Sequence, residues 1–360
     1  MFAKAQKHYL ITGTYTTGKS EGIYVYQFNS ADGSAKFISS VKISNPSFLV
    51  VSPNEKFVYS VQEDAAKNGK AGEIAAFSFN KETGKLSFLN RQSSGGDHPC
   101  YVSMDKTGKW VAAGNYTSGS LSMLPVQADG SLGAPTTVIK HAGSGPNKPR
   151  QNVPHVHCTF FSPDNRFLFV PDLGIDKVMI YAFDKTTGML TAAKQPFAES
   201  VPGAGPRHIS FHPSGKFAYL LQELNGTITT FKHKRGNLKN MHVISTMPAG
   251  DTSFAGSADI HVSPDGKFLY ASNRGESNTI VIFSINQKNG KLSVVGHQST
   301  LGKTPRNFNF DPSGNFLLVA NQNSDAIVIF KVDKQTGLLT DTNHRIDVGK
   351  PVCLKWISMQ

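Results

Sequence analysis

The residues of this chain best suited to chemistry are a His155-Val156-His157 pair, a Pro206-Arg207-His208 step, Glu223, and two further arginines, Arg274 and Arg306. In an extended strand, alternation puts the imidazoles of His155 and His157 on one face. A His-x-His pair can ligate zinc when further ligands converge on it. Asp172 and Glu223 are candidate carboxylates, but arginines recur at equivalent places in the pattern and disfavour a cation. General acid/base or hydrogen-bonding roles therefore rank ahead of a metal, and no cofactor is expected. The chain has no Gly-x-Ser-x-Gly elbow, no phosphate-binding loop and no dinucleotide fingerprint.

The elements that must position these residues are set by a repeat. A phrase of the form Ser-Pro-x-Gly-Lys-Phe-x-Tyr recurs about every fifty residues, a period of the kind seen in propellers and arrays. Its clearest copies run from Ser263 to Tyr270, His212 to Tyr219, Ser162 to Phe169 and Ser52 to Tyr59, with degenerate copies from Asp311 to Leu318 and around Thr107 to Trp110. A Pro-opened segment precedes the phrase, and a second strand leaves it. An alternating run such as Ile280-Val-Ile-Phe follows, then a Gly turn and a weaker fourth strand. Short strands rich in Val, Ile, Phe and Tyr between Gly, Pro, Asn and Asp are the antiparallel all-β signature, and four strands per period make one propeller blade. The alternating run occurs seven times but the phrase six. The difference is resolved if Tyr9-Leu-Ile-Thr and Pro351-Val-Cys-Leu close one blade from opposite ends of the chain. The expectation is an all-β, seven-bladed β-propeller over residues 1–360 as one domain, with 1–7 a disordered tail or the remnant of a signal peptide. WD and kelch arrays are excluded, because neither Trp110 nor Trp356 precedes an Asp and Gly95-Gly96 is the single Gly pair.

Aligning the blades predicts which side chains reach the central channel. The opening position of the innermost strands reads Ser47, Cys100, His157, Arg207, Ala258, Arg306 and Val352. The antiparallel second strands end at the same face, with Thr14-Tyr15, Glu63-Asp64, Asn115-Tyr116, Asp172, Glu223, Asn273-Arg274 and Asn321-Gln322. Such polarity directly after hydrophobic strands is expected of a channel mouth. Inward Arg, Glu and His are costly unless paired or used. Asn115, Asn273 and Asn321 fit blade-to-blade hydrogen bonding as well as ligand contact, and His98, His208, His212 and His261 fit the former. The Gly/Pro-rich stretch from His141 to Pro154 reads either as a lid carrying Lys148 and Arg150 to an anionic substrate or as a plain surface loop.

Composition bounds the partners. The 360 residues carry a net charge of +12, but Lys56, Lys109, Lys216 and Lys267 spread it around the ring. Without a basic stripe this argues against nucleic acid and leaves a small anion as the expected partner. No segment resembles a membrane-spanning helix. Three cysteines in different blades are expected to be free, buried thiols. A cytoplasmic location is expected, since the sequence shows no full signal peptide. The periplasm is the alternative if Ala3-Lys4-Ala5 ends a truncated one.

Gly13-Thr-Tyr-Thr, Gly22-Ile-Tyr-Val-Tyr, Pro154-His-Val-His, Gly205-Pro-Arg-His and Gln222-Glu-Leu resemble the seven-bladed propeller lactonases, which include bacterial 6-phosphogluconolactonase and the fungal carboxy-muconate lactonizing enzyme. The resemblance covers essentially the whole chain. It implies metal-free hydrolysis of 6-phosphogluconolactone in the pentose phosphate pathway, and it carries the family's mouth residues onto His157, Arg207, Glu223 and Arg274. On that basis Arg207 stabilises the developing oxyanion. Arg274 and Arg306 hold substrate anions, with His155, Asn115, Asp172 and Asn321 as further substrate contacts. His157 or Glu223 takes the proton from water, His157 being the preferred base. The expected partner is a small anionic sugar lactone, and the chain is expected to be a monomer or homodimer. The alternatives are a lactonase or lactonizing enzyme for another carboxylated or sugar lactone, or a binding propeller without chemistry.

Overall fold

The computed structural model describes residues 7–65 and 72–359. Seven four-stranded antiparallel sheets are arranged as the blades of a propeller. The first blade takes Lys7–Thr14, Gly22–Asn29 and Ala35–Lys42 from the start of the chain and its innermost strand, Pro351–Ser358, from the end. His8 pairs with Ser358, and Thr14 with Pro351. The closure inferred from the count of six and seven is therefore present, and it leaves no free edge at the seam. Lys7 opens the first strand and is no part of a tail; Ala3-Lys4-Ala5 lies outside the described residues.

The recurring phrase has a local cause. Ser263 Oγ accepts from the Phe268 amide and donates to Asp265, and Asp105, Ser162 and Asp311 close the same turn in their blades. One turn residue must have positive φ. It is Gly266 (φ 75°) in the sixth blade, whereas Asn165 (φ 58°) and Glu55 (φ 56°) take that place in the fourth and second. The terminal Tyr of the phrase ties neighbouring blades together. Tyr219 donates to the Gly290 carbonyl at 3.1 Å, Tyr270 to Gly337 at 2.6 Å and Tyr59 to Gly130 at 3.0 Å. Each acceptor lies in the turn between the outer strands of the following blade.

The core lies between blades rather than at one centre. Phe268, Tyr270, Phe310, Val319 and Phe330 fill the sixth interface. Leu10, Phe28, Leu318, Ile329 and Leu354 pack across the seam where the ring closes. Cys100, Cys158 and Cys353 are free and buried. Among the described residues no helix is long and apolar enough to cross a membrane.

Candidate active site in the channel mouth

Inner strands deliver side chains to the channel through β-bulges. Pro99 and Tyr101 pair with consecutive residues of the second strand, leaving Cys100 unpaired; Arg207, Arg306 and Val352 occupy the same position in their blades. A bulge re-aims its extra residue. Arg207 thus enters the mouth while the next residue, His208, packs one layer deeper. That layer includes Phe48 stacked on Tyr101 at 3.9 Å, with His208 edge-on to both. His208 Nδ1 donates to the Asp259 carboxylate at 2.9 Å, which also accepts from His261 and Asn307.

A cavity of about 210 Å³ is lined by Tyr15, Glu63, Cys100, Tyr116, Arg150, His157, Arg207, Glu223, Arg274 and Arg306. At its centre Glu223, 4% exposed, follows the strand Phe217–Gln222. Its carboxylate accepts from Arg207 and from Arg150 (2.8 Å), and Arg274 lies 3.2 Å away. Burial is the largest influence on this acid and would raise its pKa, but the guanidiniums of Arg207, Arg274 and Arg150 together hold it well below the usual carboxylate range. Arg207, 2% exposed, also donates Nε to the Ala258 carbonyl at 2.7 Å and Nη1 to His157 Nε2 at 2.6 Å.

A guanidinium can only donate, so His157 Nε2 is the acceptor and carries no proton. Burial first, and then the charge of Arg207, hold the imidazole well below its ordinary pKa. His157 is thus a neutral acceptor that orients Arg207, and its free lone pair is committed. Glu223 likewise has both oxygens bonded by cations. Neither is free to receive a proton from water, which is the role expected of one of them.

The second strands explain which expected residues reach the cavity. Their last residues are Thr14, Gln62, Asn115, Asp172, Gln222, Asn273 and Asn321, and the side chains of most bind the surrounding loops. Asn115 donates to the Ser94 carbonyl at 2.9 Å, Asn273 to Thr246 at 3.0 Å and Asn321 to Thr300 at 3.0 Å. Asp172 accepts from the amides of His155 (2.7 Å) and Gly174 (2.9 Å) and contacts His141 Nδ1 at 2.6 Å. Asn115, Asp172 and Asn321 consequently do not line the cavity. In five blades the residue one step further on does: Tyr15, Glu63, Tyr116, Glu223 and Arg274; Leu173 and Gln322, which follow Asp172 and Asn321, do not. His155 also stays outside, stacked on Tyr116 at 4.4 Å with Nδ1 facing the Tyr116 carbonyl. The His-x-His pair is split because this stretch makes a single bridge, Val156 to Asp172, before the two-residue strand Phe160–Phe161.

The segment from His141 to Pro154 is neither plain loop nor unanchored. A short helix, Lys148–Gln151, is pinned by buried Gln151, which donates to the Leu173 carbonyl (2.8 Å) and Asp176 (2.7 Å) and accepts from the Asn147 amide (3.1 Å). Arg150 is held over the cavity by Glu223 and the Tyr116 hydroxyl, whereas Lys148 turns back to the Gly145 carbonyl.

Residues 9–356 match the family of seven-bladed β-propeller lactonases. The chain belongs to that family. It is 43% identical over 320 residues to a 6-phosphogluconolactonase of Formosa agariphila (88% of this chain, 90% of that one) and 38% identical over 352 residues to that of Bacillus subtilis (96% and 97%). The solved structure of a periplasmic gluconolactonase from Pseudomonas aeruginosa superposes with a TM-score of 0.94 at 38% identity, covering 98% of this chain and all of that one.

Proposed function

We propose that this lactonase hydrolyses 6-phosphogluconolactone to 6-phosphogluconate, a step of the pentose phosphate pathway, in the cytoplasm where phosphorylated sugars are met. The observation that carries the reading is the charge of the cavity: four guanidiniums stand against two carboxylates, an excess of two positive charges that suits a phosphate dianion. Arg306 is the least committed of them. Among the described residues it makes no hydrogen bond, only a 3.8 Å ion pair with Glu63 and a 5.2 Å contact with the Tyr15 ring. Its planar fork is therefore free for bidentate anion binding.

Arg207 suits the carbonyl. Its Nε and Nη1 are fixed by Ala258, His157 and Glu223, so its orientation is set before substrate arrives. A pre-oriented donor in a buried mouth stabilises the oxyanion that forms as water adds. His157 and Glu223 act through it, as positioning residues. A second reading, in which the unphosphorylated sugar lactone is the substrate, is favoured by the likeness to the Pseudomonas gluconolactonase.

Paired kinetics on 6-phosphogluconolactone and gluconolactone, against spontaneous opening, separate the two. The phosphorylated lactone should have the higher kcat/KM by about tenfold or more, one charge-assisted contact being worth that much. Arg306→Ala should erase the preference. Equal or reversed preference in the wild type overturns the phosphate reading.

A further inference from the structure

With His157 Nε2 accepting from Arg207 and both Glu223 oxygens bonded by guanidiniums, the cavity still holds one carboxylate with an uncommitted oxygen. Glu63 follows directly on the strand Phe57–Gln62, in the lining position that Glu223 occupies three blades away. Its Oε2 accepts from the Tyr15 hydroxyl at 2.8 Å and from Ser47 Oγ. Ser47 is 2% exposed, and its neighbour Phe48 is fixed in the aromatic layer below. The Arg306 guanidinium approaches the same oxygen only to 3.8 Å. Two hydroxyl donors thus anchor one oxygen and the plane of the carboxylate, while among the described residues Oε1 receives no hydrogen bond. The side chain is 15% exposed, enough to meet water at the open cavity and too little to swing away.

We propose that Glu63 is the general base of the lactonase reaction, holding and deprotonating the attacking water through Oε1. This rests on the lactone-hydrolysis reading above. As the water oxygen bonds to the lactone carbonyl carbon, one water proton passes to Glu63 and the carbonyl electron pair becomes an oxyanion facing Arg207. Collapse re-forms the carbonyl and breaks the bond from that carbon to the ring oxygen. The departing ring oxygen takes the proton from Glu63 and becomes a hydroxyl. The new carboxylic acid then loses its own proton to solvent, and Glu63 is left ionised for the next turnover. No oxidant, metal or covalent intermediate is needed for the balance. Tyr15 and Ser47 are positioning residues: they fix which oxygen is tied and which is presented.

Glu63→Gln is the direct test, because the amide oxygen can still accept from Tyr15 and Ser47 while basicity is lost. Its kcat should fall about 10²–10⁴-fold, the usual share of a general base, with KM changed little and the urea midpoint unchanged. Glu63→Ala should lose as much and regain activity with added formate, a small carboxylate that fits the vacated space, but not with chloride at equal ionic strength. A structural role for Glu63 would not give formate rescue. A Glu63→Gln kcat within about threefold of wild type, a loss confined to KM, or a Glu63→Ala loss indifferent to formate overturns the assignment. The two readings fail separately. Wild type that leaves 6-phosphogluconolactone at its spontaneous rate sinks the phosphorylated substrate, and the same Glu63 comparison is then made on gluconolactone. Wild type inert on both sinks both.

Discussion

Arg207→Met removes the group that the mouth is built around while keeping its apolar bulk. Three interactions go: the bonds to the Ala258 carbonyl and His157 Nε2, and the pair with Glu223. Each neutral acceptor left buried and unpaired costs about 1–3 kcal/mol. Breaking a buried ion pair costs roughly 3–5 kcal/mol, but Glu223 keeps Arg150 and Arg274, so the lower end applies. The losses overlap, and the methionine side chain fills the vacated space, so a net destabilisation of about 3–5 kcal/mol is expected in urea unfolding. Activity should fall more sharply than stability requires. Loss of one oxyanion donor costs about 10²–10³ in kcat, measured on enzyme that is still fully folded. A third readout is independent of both. The Arg207 charge is the second cause, after burial, of the low His157 pKa, so the His157 titration followed by NMR should move upward in the variant. A variant with kcat/KM within about tenfold of wild type, or with an unmoved His157 titration, would refute the role given to Arg207.

Acid sensitivity should begin well above the carboxylate range. Burial, opposed by Asp259, lowers His208 from 6.5 to about 4. The native state therefore binds fewer protons than the unfolded chain between those values. The contribution is intact above pH 6.5 and is lost as pH falls toward 4; at about 1.4 kcal/mol per unit it amounts to on the order of 3 kcal/mol. Urea midpoints from pH 7 to 4 should flatten in His208→Asn. Gln151→Leu leaves the Leu173 carbonyl without its Gln151 donor and Asp176 one partner short, costing about 1–3 kcal/mol. It should raise KM through Arg150 without touching the cavity, and limited proteolysis should cut within residues 141–154 sooner than in wild type. Arg150→Ala should raise KM for the phosphorylated lactone by about tenfold, the worth of one charge-assisted contact, and lower stability in urea by about 1–3 kcal/mol, since buried Glu223 Oε1 loses its donor.

The repeat phrase made the seven blades legible, because the turn at Gly266 and the tie at Tyr270 are local demands that each blade repeats in its residues. The closure was legible too, since a missing phrase at one end and a spare strand at the other imply one another. Register was read one residue too early at Asn115, where Tyr116 lines the cavity, whereas the strand ends at Asp172 and Asn321 send no side chain into it. Sequence shows a polar residue ending a strand, but not whether it faces the loops or the channel.

The chain by itself therefore determined the architecture, the family, and the side of the ring on which Arg207, Glu223 and His157 gather. Periodic hydrophobicity and turn chemistry act over a few residues and survive being read in one dimension. What each of those groups does was decided by tertiary structure. Arg207 enters the mouth through a bulge, His157 is neutral because it is buried and a guanidinium from the next blade faces it, and Glu63 is left with an open oxygen because hydroxyls from two separate segments tie the other. Proton affinity and hydrogen-bond availability depend on neighbours that only the packing of blade against blade brings within about 3 Å, and no spacing along the chain encodes them.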